Sequence, residues 1–313
     1  MVSALALLLA CAPANEIAFP GDSATSAVPA RFRLAAHTFA YELKPRFELP
    51  QSGIDVFALT FPSPVASPYP ANNTVHAEYF VPKNATGIPA VVVLDILDGR
   101  QTVARAEAVW LAQNGIGALV VYMAYYGPRR PEGEKVRLLS MDIDHSVNAI
   151  TQTALDCRRA AAWLAARPEV DASRLGLLGT SLGSLIGGVA AAAEPRFHNV
   201  CLLLGGGGLV DAFWSHPKAT PITSVLPWLG VGKEKLRKLI APADPLTYAE
   251  TLKGRHLLLV GASQDEVVPP SAMRALWEAT GRPKILWVES THVGSALYIF
   301  PTMRMVIEHL HQK

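Results

Sequence analysis

The hydrophobic pattern of the chain changes near residue 89. Before this point, short alternating segments at residues 38–46, 54–61 and 76–81 are separated by turns rich in Pro, Ser and Asn. Such segments are typical of antiparallel strands. After this point, apolar runs alternate with amphipathic segments, which predicts a mostly parallel sheet flanked by helices. We therefore predict one α/β domain over residues 36–313, with antiparallel strands at its N-terminal edge.

Six apolar runs in the second region have the length of buried strands, and four segments have helical spacing. The runs lie at residues 90–97 and 117–123, near Leu175, and at residues 200–204, 255–261 and 284–289. The predicted helices lie at residues 103–114 and 144–167, directly after Ser181, and at the C-terminal end, where Phe300, Met303, Ile307 and Leu310 share one face. Ser140 and Asp142 are candidate N-caps of the second helix.

The alternation lapses between about residues 210 and 254. This segment contains Trp214, Trp228 and several prolines. An insertion of this length between two strands predicts a lid over a pocket. The alternative is a surface excursion without a chemical role.

Residues 1–11 form an apolar segment that ends in Cys11. The segment is too short to span a bilayer but suits the core of an export signal. Its last four residues, Leu-Leu-Ala-Cys, resemble a bacterial lipobox, although no Lys or Arg precedes the apolar run. We predict an exported bacterial protein, periplasmic or tethered to a membrane through a lipidated Cys11, with residues 12–35 as a flexible spacer. The alternative is that residues 1–11 are a disordered apolar tail.

The charge balance argues against a nucleic acid partner. The chain has 28 Lys and Arg against 26 Asp and Glu, and it contains no basic block. No spacing of His and Cys suits a metal ion, and the glycine run at residues 205–208 lacks the lysine of a phosphate loop. We therefore predict neither a metal nor a cofactor. Cys157 and Cys201 fall at apolar positions, which favours two buried thiols over a disulfide between them.

The strongest chemical signal is Ser181, in the sequence Gly179-Thr-Ser-Leu-Gly183. An apolar run precedes it and a helix of small residues follows, which predicts a sharp turn from strand to helix. Gly179 and Gly183 remove the side chains that would collide there, so the hydroxyl projects above the sheet. A serine hydroxyl is a weak nucleophile unless a base takes its proton. Ser181 is therefore a candidate nucleophile, with an inert turn as the alternative.

Functional groups of parallel sheets gather just past the carboxyl ends of the strands. Asp265 lies four residues past a strand that ends at Gly261, and His292 follows the last predicted strand. Both would share the sheet edge of Ser181, which makes them the candidate acid and base. Glu266 remains an alternative acid, whereas Asp244 precedes Pro245 and is better explained as a helix cap.

The chain order Ser, Asp, His, together with the turn around Ser181, resembles the α/β-hydrolase superfamily. The resemblance extends from about residue 76 onward and is closest to the bacterial serine esterases related to dienelactone hydrolases and acetyl xylan esterases. It implies that Ser181 is the nucleophile, that His292 is general base and then general acid, and that Asp265 orients the imidazole. Dienelactone hydrolases themselves have a cysteine where this chain has Ser181, so their own reaction is not implied.

Acyl transfer places negative charge on the carbonyl oxygen, and two backbone N–H groups commonly stabilise it. We expect Leu182 to supply one of them, and Leu97 or Asp98 the other. We expect the carboxylate of Asp98 to pair with Arg100 or to face solvent.

Aromatic residues near the same sheet edge are candidates for the substrate pocket. Tyr125 and Tyr126 follow a strand, and Trp214 and His216 lie in the insertion. The alternative is that the aromatic residues only attach the insertion to the body.

The sequence thus predicts a serine hydrolase that cleaves carboxylic esters through an acyl-enzyme intermediate. The substrate would be a small-molecule ester or an ester carried by a glycan. The alternatives are an amidase, a peptidase or a thioesterase that uses the same triad, and a binding module that has kept the fold without catalysis.

Overall fold

The computed structural model describes residues 15–97, 99–214 and 231–312. Ten strands form one sheet in this part of the chain. They are β1 (Asn15–Phe19), β2 (His37–Leu49), β3 (Ile54–Pro62), β4 (Thr74–Pro82), β5 (Ile88–Leu94), β6 (Gly117–Val121), β7 (Val170–Thr180), β8 (Asn199–Leu203), β9 (His256–Ala262) and β10 (Lys284–Val288).

The strand order is β1-β2-β3-β4-β6-β5-β7-β8-β9-β10. Strands β1 to β4 pair antiparallel, as do β4 and β6, and every pair from β6 to β10 is parallel. The predicted α/β architecture with antiparallel N-terminal strands is confirmed. The parallel half places the carboxyl ends of β7, β9 and β10 at one edge of the sheet.

The helices between these strands cover both faces of the sheet. They are α1 (Thr102–Gln113), α2 (Ile143–Ala165), α3 (Leu182–Ala193), α4 (Leu209–Trp214), α5 (Lys233–Ile240), α6 (Ala249–Lys253), α7 (Pro270–Ala279) and α8 (Ile299–His311). Helices α1 and α8 pack on one apolar cluster, which contains Leu111 and Met303. Helices α2, α3 and α7 pack on the other, which contains Trp163, Ile186 and Met273.

The predicted ends and faces of the helices agree with the structure in α2 and differ in α8. Asp142 caps α2, because its carboxylate accepts a hydrogen bond from the backbone N–H of His145. In α8 the predicted apolar face is wrong for Phe300, which is 70% exposed. Met303 and Leu310 are buried together with Val306, since this stripe faces the sheet.

The predicted flexible spacer at residues 12–35 is wrong from residue 15 onward. Strand β1 pairs with β2, and Ile17 and Phe19 are buried. Asp22 also accepts two hydrogen bonds from the buried guanidinium of Arg158, at 2.7 and 2.8 Å. A buried arginine requires a partner of opposite charge, and this requirement joins the N-terminal segment to α2.

We expect Asp22→Asn to lower the free energy of unfolding by about 2 kcal/mol at pH 7, because the charge-assisted hydrogen bonds to Arg158 are weakened. Burial by itself raises the pKa of Asp22, but hydrogen bonds from Arg158 and the Leu34 N–H outweigh it and leave the pKa below its usual value. The stabilisation is therefore present above the usual pKa and is lost below about pH 4, as the pH falls through the lowered pKa.

Urea unfolding of wild type and variant across this pH range measures the effect. Glu16→Gln is the control, because Glu16 is an exposed residue of β1. We expect it to change stability by no more than about 0.5 kcal/mol. Equal, small effects of both substitutions would contradict a structural role for this segment.

Cys157 and Cys201 are free, buried thiols, as predicted, and the alternative disulfide is wrong. The two side chains belong to apolar clusters on opposite faces of the sheet. Burial raises the pKa of both thiols. Both cysteines therefore act as small apolar core residues.

Helices α4 and α5 belong to the insertion predicted at about residues 210–254. Asp211 of α4 pairs with Lys233 and Arg237 of α5, at 2.8 and 2.7 Å. Residues 215–230 lie outside the described residues, so the role of the insertion as a lid stays a prediction. Residues 1–14, with Cys11 and the predicted export segment, also lie outside them. None of the described helices combines the length and the apolar character that crossing a bilayer requires.

Candidate active site

Ser181 occupies a strained turn between β7 and α3. Its backbone has φ 56° and ψ −115°, a conformation that residues with a side chain rarely adopt. Such strain costs on the order of 1–3 kcal/mol and persists only where the surrounding structure enforces it. Here the Ser181 N–H donates to the carbonyl oxygen of Leu203, 2.8 Å away. The turn places the serine at the carboxyl edge of the sheet.

The glycines on either side of Ser181 are required by close backbone contacts. A Cβ atom on Gly179 would lie 2.2 Å from the carbonyl oxygen of Gly183. A Cβ atom on Gly183 would lie 2.2 Å from the carbonyl oxygen of Leu94. Because both obstacles are backbone atoms, no side-chain movement relieves the collisions. The Gly-x-Ser-x-Gly pattern is thus a packing requirement of this turn.

The structure brings Ser181, His292 and Asp265 together. Ser181 Oγ lies 2.9 Å from His292 Nε2, and His292 Nδ1 lies 2.7 Å from Asp265 Oδ2. His292 follows β10 and Asp265 follows β9, so the loops after two neighbouring strands supply the two groups. With a proton on Nδ1, the ring donates to the carboxylate and its Nε2 accepts from the serine hydroxyl. This arrangement can draw the proton from Ser181.

The backbone holds the carboxylate of Asp265 in place. Its Oδ1 accepts hydrogen bonds from the N–H groups of Val267 and Val268, at 2.9 and 2.7 Å. Its Oδ2 accepts from the imidazole. The side chain of Asp265 is 3% exposed and that of His292 is 12% exposed, so solvent competes little for these bonds.

The two other acidic residues considered from the sequence have different positions. Glu266 Oε2 accepts a hydrogen bond from the backbone N–H of His292 at 3.0 Å, so this carboxylate supports the loop, whereas Asp265 contacts the ring. Asp244 accepts from the backbone N–H of Leu246 and caps the following turn, as predicted. It also accepts from the N–H groups of Gly208 and Leu209.

A pocket of about 670 Å³ opens beside Ser181 and His292. Its walls are mostly apolar and come from α1, from α8 and from the loops at the sheet edge. Trp110 of α1 and Ile299 and Met303 of α8 are among the described lining residues. The volume lies within the usual range of small-molecule sites.

The pocket differs from the one predicted from the sequence. The aromatic candidates Tyr125, Tyr126 and Trp214 are not among its described lining residues. Tyr125 is buried between the rings of Tyr69 and His145, and Tyr126 lines a separate, smaller pocket. The prediction was wrong because the site opens toward α1 and α8, away from the tyrosine loop. His216 lies outside the described residues.

The predicted oxyanion donors can be placed only in part. Leu182 is the first residue of α3, so its N–H has no carbonyl partner within the helix. Leu97 lines the pocket next to Ser181 and is 53% exposed. Asp98 lies outside the described residues. The backbone N–H group of Leu182, together with that of Leu97 or Asp98, stays the candidate donor pair.

Sequence reasoning missed Glu107 of α1, which lines the pocket and is 3% exposed. Its Oε1 accepts a hydrogen bond from Thr180 Oγ1 at 2.7 Å. Burial raises the pKa of Glu107, the hydrogen bond from Thr180 lowers it, and the nearby charge of Asp95 raises it. Together these effects give a pKa of about 8. The signal was present in the sequence, since Glu107 interrupts the apolar stripe of α1 that includes Ala104 and Leu111.

No group of three potential metal ligands occurs among the His, Cys, Asp and Glu residues that the structure describes.

Solved structures with similar folds include several esterases. The acetyl xylan esterase from Paenibacillus sp. R4 superposes with a TM-score of 0.71 and 19% identity over 87% of this chain and 89% of that one. The chain is an α/β-hydrolase in fold. Acetyl xylan esterase 1 from Thermoanaerobacterium sp. JW/SL YS485 gives a TM-score of 0.62 at 19% identity, over 87% and 88% of the chains. The esterase Est22 gives 0.59 at 17% identity, over 84% and 82%.

Two sequence comparisons add to this similarity of fold. Residues 147–286 match the profile of the Prolyl oligopeptidase family, a segment that includes Ser181 and Asp265. The Mycobacterium tuberculosis H37Rv protein Rv2627c is 25% identical over 195 residues, which are 58% of this chain and 43% of that protein. The chain thus matches less than half of the length of this relative.

Proposed function

We propose that this α/β-hydrolase cleaves carboxylic esters through an acyl-enzyme intermediate on Ser181. The observation that carries the proposal is the hydrogen-bonded series from Ser181 through His292 to Asp265, which borders an apolar pocket. The fold similarity to solved esterases supports the ester as the bond that is cleaved.

In the first half of the reaction, Ser181 Oγ attacks the carbonyl carbon while His292 Nε2 accepts the hydroxyl proton. Asp265 stabilises the resulting imidazolium and keeps its orientation. The negative charge on the former carbonyl oxygen faces the N–H of Leu182 and a second donor near Leu97. When the tetrahedral intermediate collapses, His292 returns the proton to the leaving oxygen. The alcohol departs, and the acyl group stays on Ser181.

In the second half, a water molecule replaces the alcohol. His292 accepts a proton from the water as its oxygen attacks the acyl carbon. The second tetrahedral intermediate breaks the bond to Ser181 Oγ, and His292 returns the proton to the serine. The products are a carboxylic acid and the regenerated hydroxyl.

The pocket favours an ester with an apolar group of several carbons over a short acetyl ester on a sugar. A sugar offers hydroxyl groups, which need polar partners, whereas the described lining is mostly apolar. An acetyl group would also leave most of the pocket unfilled. Esters of glycans remain an alternative, supported by the fold similarity to acetyl xylan esterases.

Peptide or amide cleavage is a second candidate, favoured by the match to the Prolyl oligopeptidase family. The nucleophile and the base would act in the same way, but the leaving group would be an amine. Matched p-nitrophenyl ester, thioester and p-nitroanilide substrates that carry the same acyl group separate these functions. Fastest turnover of the ester supports the proposal, and fastest turnover of the anilide supports the second candidate. A fluorophosphonate probe that leaves Ser181 unlabelled would favour a binding module without catalysis.

We expect kcat/KM for p-nitrophenyl esters to rise from acetate to hexanoate by roughly threefold to fourfold per methylene, because each buried methylene contributes about 0.8 kcal/mol. A panel of esters with increasing acyl length measures this dependence. Ala106→Phe is the matched variant, because Ala106 is an exposed residue of α1 that lines the pocket. We expect the added ring to lower turnover of hexanoate more than that of acetate. A flat dependence on acyl length would contradict acyl binding in this pocket.

A further inference from the structure

The loop between β5 and α1, residues 95–101, lies between two cavities. Ile96 and Leu97 line the pocket beside Ser181, whereas Gly99 and Arg100 line the smaller pocket. Leu97 is 53% exposed and Arg100 is also exposed, so packing of these side chains contributes little to the shape of the loop. The conformation of the β5–α1 loop therefore depends on contacts at its root and inside it.

The root of this loop contacts the turn that carries the nucleophile. A Cβ atom on Gly183 would lie 2.2 Å from the carbonyl oxygen of Leu94 and 2.6 Å from that of Asp95. Gly183 directly follows Leu182, whose N–H is a candidate donor of the oxyanion hole, the pair of N–H groups that faces the substrate oxygen. The β5–α1 loop thus begins beside this donor, which supports a second donor near Leu97.

The carboxylate of Asp95 holds the loop from inside. This residue is fully buried. Its Oδ2 accepts a hydrogen bond from the N–H of Gln101 at 2.8 Å, and its Oδ1 accepts from the N–H of Ala104 at 3.2 Å. Burial raises the pKa of Asp95, and hydrogen bonds from backbone N–H groups oppose this rise. The carboxylate therefore joins the root of the loop to its far end and to the first turn of α1.

The loop encloses this carboxylate closely. The N–H of Gly99 donates to the carbonyl oxygen of Ile96 at 3.2 Å and closes a turn, in which Leu97 is the second residue. A Cβ atom on Gly99 would lie 1.9 Å from Asp95 Oδ2. Gln101 has φ 61° and ψ 20°, a left-handed conformation that is uncommon for a residue with a side chain. The hydrogen bond from its N–H to Asp95 helps to enforce this conformation.

We propose that Asp95 is a positioning residue of the oxyanion hole, whose carboxylate holds the β5–α1 loop in the turn that directs the second N–H donor, near Leu97, toward the substrate oxygen. This inference rests on the proposed ester hydrolysis. Asp95 would act through the backbone, because both of its carboxylate oxygens accept hydrogen bonds from N–H groups of the loop and of α1.

Such a role affects the transition state more than the bound substrate. The full negative charge develops on the substrate oxygen only when Ser181 attacks. A donor that is displaced or mobile therefore stabilises the transition state less, while the binding of the uncharged ester changes little. Loss of the Asp95 contact should accordingly lower kcat and leave KM nearly unchanged.

Two substitutions perturb this contact from opposite sides. Asp95→Asn keeps the size of the side chain but turns an NH₂ group toward one of the two backbone N–H groups, so one hydrogen bond is lost. Gly99→Ala keeps the carboxylate but places a methyl group against Asp95 Oδ2. We expect each variant to lower kcat for p-nitrophenyl hexanoate roughly tenfold to a hundredfold, which is part of the effect of removing one oxyanion donor. We expect KM to change by less than about threefold.

Binding of a transition-state analogue supplies a readout that a merely structural role would not move. The analogue is pentyl trifluoromethyl ketone, which carries the alkyl chain of hexanoate. Ser181 Oγ bonds to its carbonyl carbon, the hydroxyl proton passes to His292 Nε2, and the former carbonyl oxygen becomes an oxyanion in the hole. We expect its inhibition constant to rise in both variants by the factor by which kcat/KM falls. The dissociation constant of pentyl methyl ketone, measured in the Ser181→Ala background, should change by less than about threefold.

Asp244→Asn is the matched control. Asp244 is also a buried carboxylate that accepts hydrogen bonds from backbone N–H groups, those of Gly208, Leu209 and Leu246. Neither Asp244 nor these partners are among the described lining residues of the pocket. We expect this variant to keep kcat/KM and both ketone affinities within about threefold of wild type. Equal losses of turnover in Asp244→Asn and Asp95→Asn would overturn the inference, because any buried carboxylate would then have the same effect.

Combining the two substitutions tests whether they act through one contact. We expect the double variant Asp95→Asn/Gly99→Ala to lose no more than about threefold in kcat beyond the less active single variant. Losses that multiply would contradict a shared contact. A weaker affinity for pentyl methyl ketone that matches the loss of turnover would indicate a general collapse of the pocket and overturn the inference. Thermal unfolding confirms that each variant is folded, and Gly99→Ala alone keeps the test if Asp95→Asn does not fold.

The two ketones also separate failure of this inference from failure of the proposed function. If the wild type hydrolyses esters and both variants keep its kcat and its affinity for the trifluoromethyl ketone, the inference is overturned and the proposed function stands. If the wild type hydrolyses no ester but its affinity for the trifluoromethyl ketone depends on Ser181 and Asp95, the positioning role is supported and the ester is rejected. A wild type that hydrolyses no ester and binds both ketones equally would reject the proposed function and this inference together.

Discussion

Replacing Ser181 with alanine is expected to lower kcat for ester hydrolysis by a factor on the order of 10³ or more, since no other group can form the acyl-enzyme. The free energy of unfolding should change little. Alanine carries the same Cβ in the same backbone conformation, and the hydrogen bond from the residue 181 N–H to Leu203 is kept. Steady-state kinetics on a p-nitrophenyl ester and urea unfolding of both proteins measure the two quantities.

Ser184→Ala is the control for this experiment. Ser184 is a buried serine of α3, one helical turn after Ser181, whereas the two ring nitrogens of His292 face Ser181 and Asp265. We expect its variant to keep activity within a few-fold of wild type. Undiminished hydrolysis by Ser181→Ala, or an equal loss in both variants, would reject Ser181 as the nucleophile.

Asp265→Asn is expected to lower kcat by a factor of about 10³ to 10⁴, because the amide favours the wrong imidazole tautomer. An asparagine NH₂ facing Nδ1 would place the ring proton on Nε2, which could then no longer accept the proton of Ser181. The two backbone bonds to Oδ1 should preserve the position of the side chain. Kinetics across pH 6 to pH 9, together with thermal unfolding, separate a loss of chemistry from a loss of folding.

The comparison with Glu266→Gln distinguishes the two acids that the sequence left open. Glu266 accepts a hydrogen bond from the backbone N–H of His292, whereas Asp265 accepts from its ring. An amide oxygen can accept the same hydrogen bond, so we expect Glu266→Gln to keep activity within roughly tenfold of wild type. A larger loss in Glu266→Gln than in Asp265→Asn would reverse the assignment.

Much of the fold could be predicted because its elements have local signatures. The apolar run that becomes β9 and the cap of α2 at Asp142 were both recognisable from short segments. The turn at Ser181 was recognisable as well, because the need for Gly179 and Gly183 follows from local backbone geometry. The loops after β9 and β10 could then be assigned to the same sheet edge through the rule for parallel strands.

Other features depended on partners that are distant in the chain. Residues 15–35 have the composition of a spacer. Their Asp22 nevertheless accepts a hydrogen bond from Arg158, which is far away in the sequence, and this contact packs the segment against α2. The pocket was predicted on the wrong side for the same reason, since its walls are formed where α1 and α8 meet. Glu107 was overlooked because an acidic residue on a helix is usually exposed.

The sequence by itself determined the chain order of strands β2 to β10 and of helices α1, α2, α3 and α8. It also determined the sharp turn at Ser181 and assigned the loops that contain Asp265 and His292 to the same sheet edge. These features depend on residue spacing and backbone geometry within short segments. Only the tertiary structure decided which acid contacts His292, which helices enclose the pocket, and that the acidic residue Glu107 is buried in the pocket wall. Burial and hydrogen-bond distance belong to pairs of groups that folding brings together, and no single segment of the chain contains both members of such a pair.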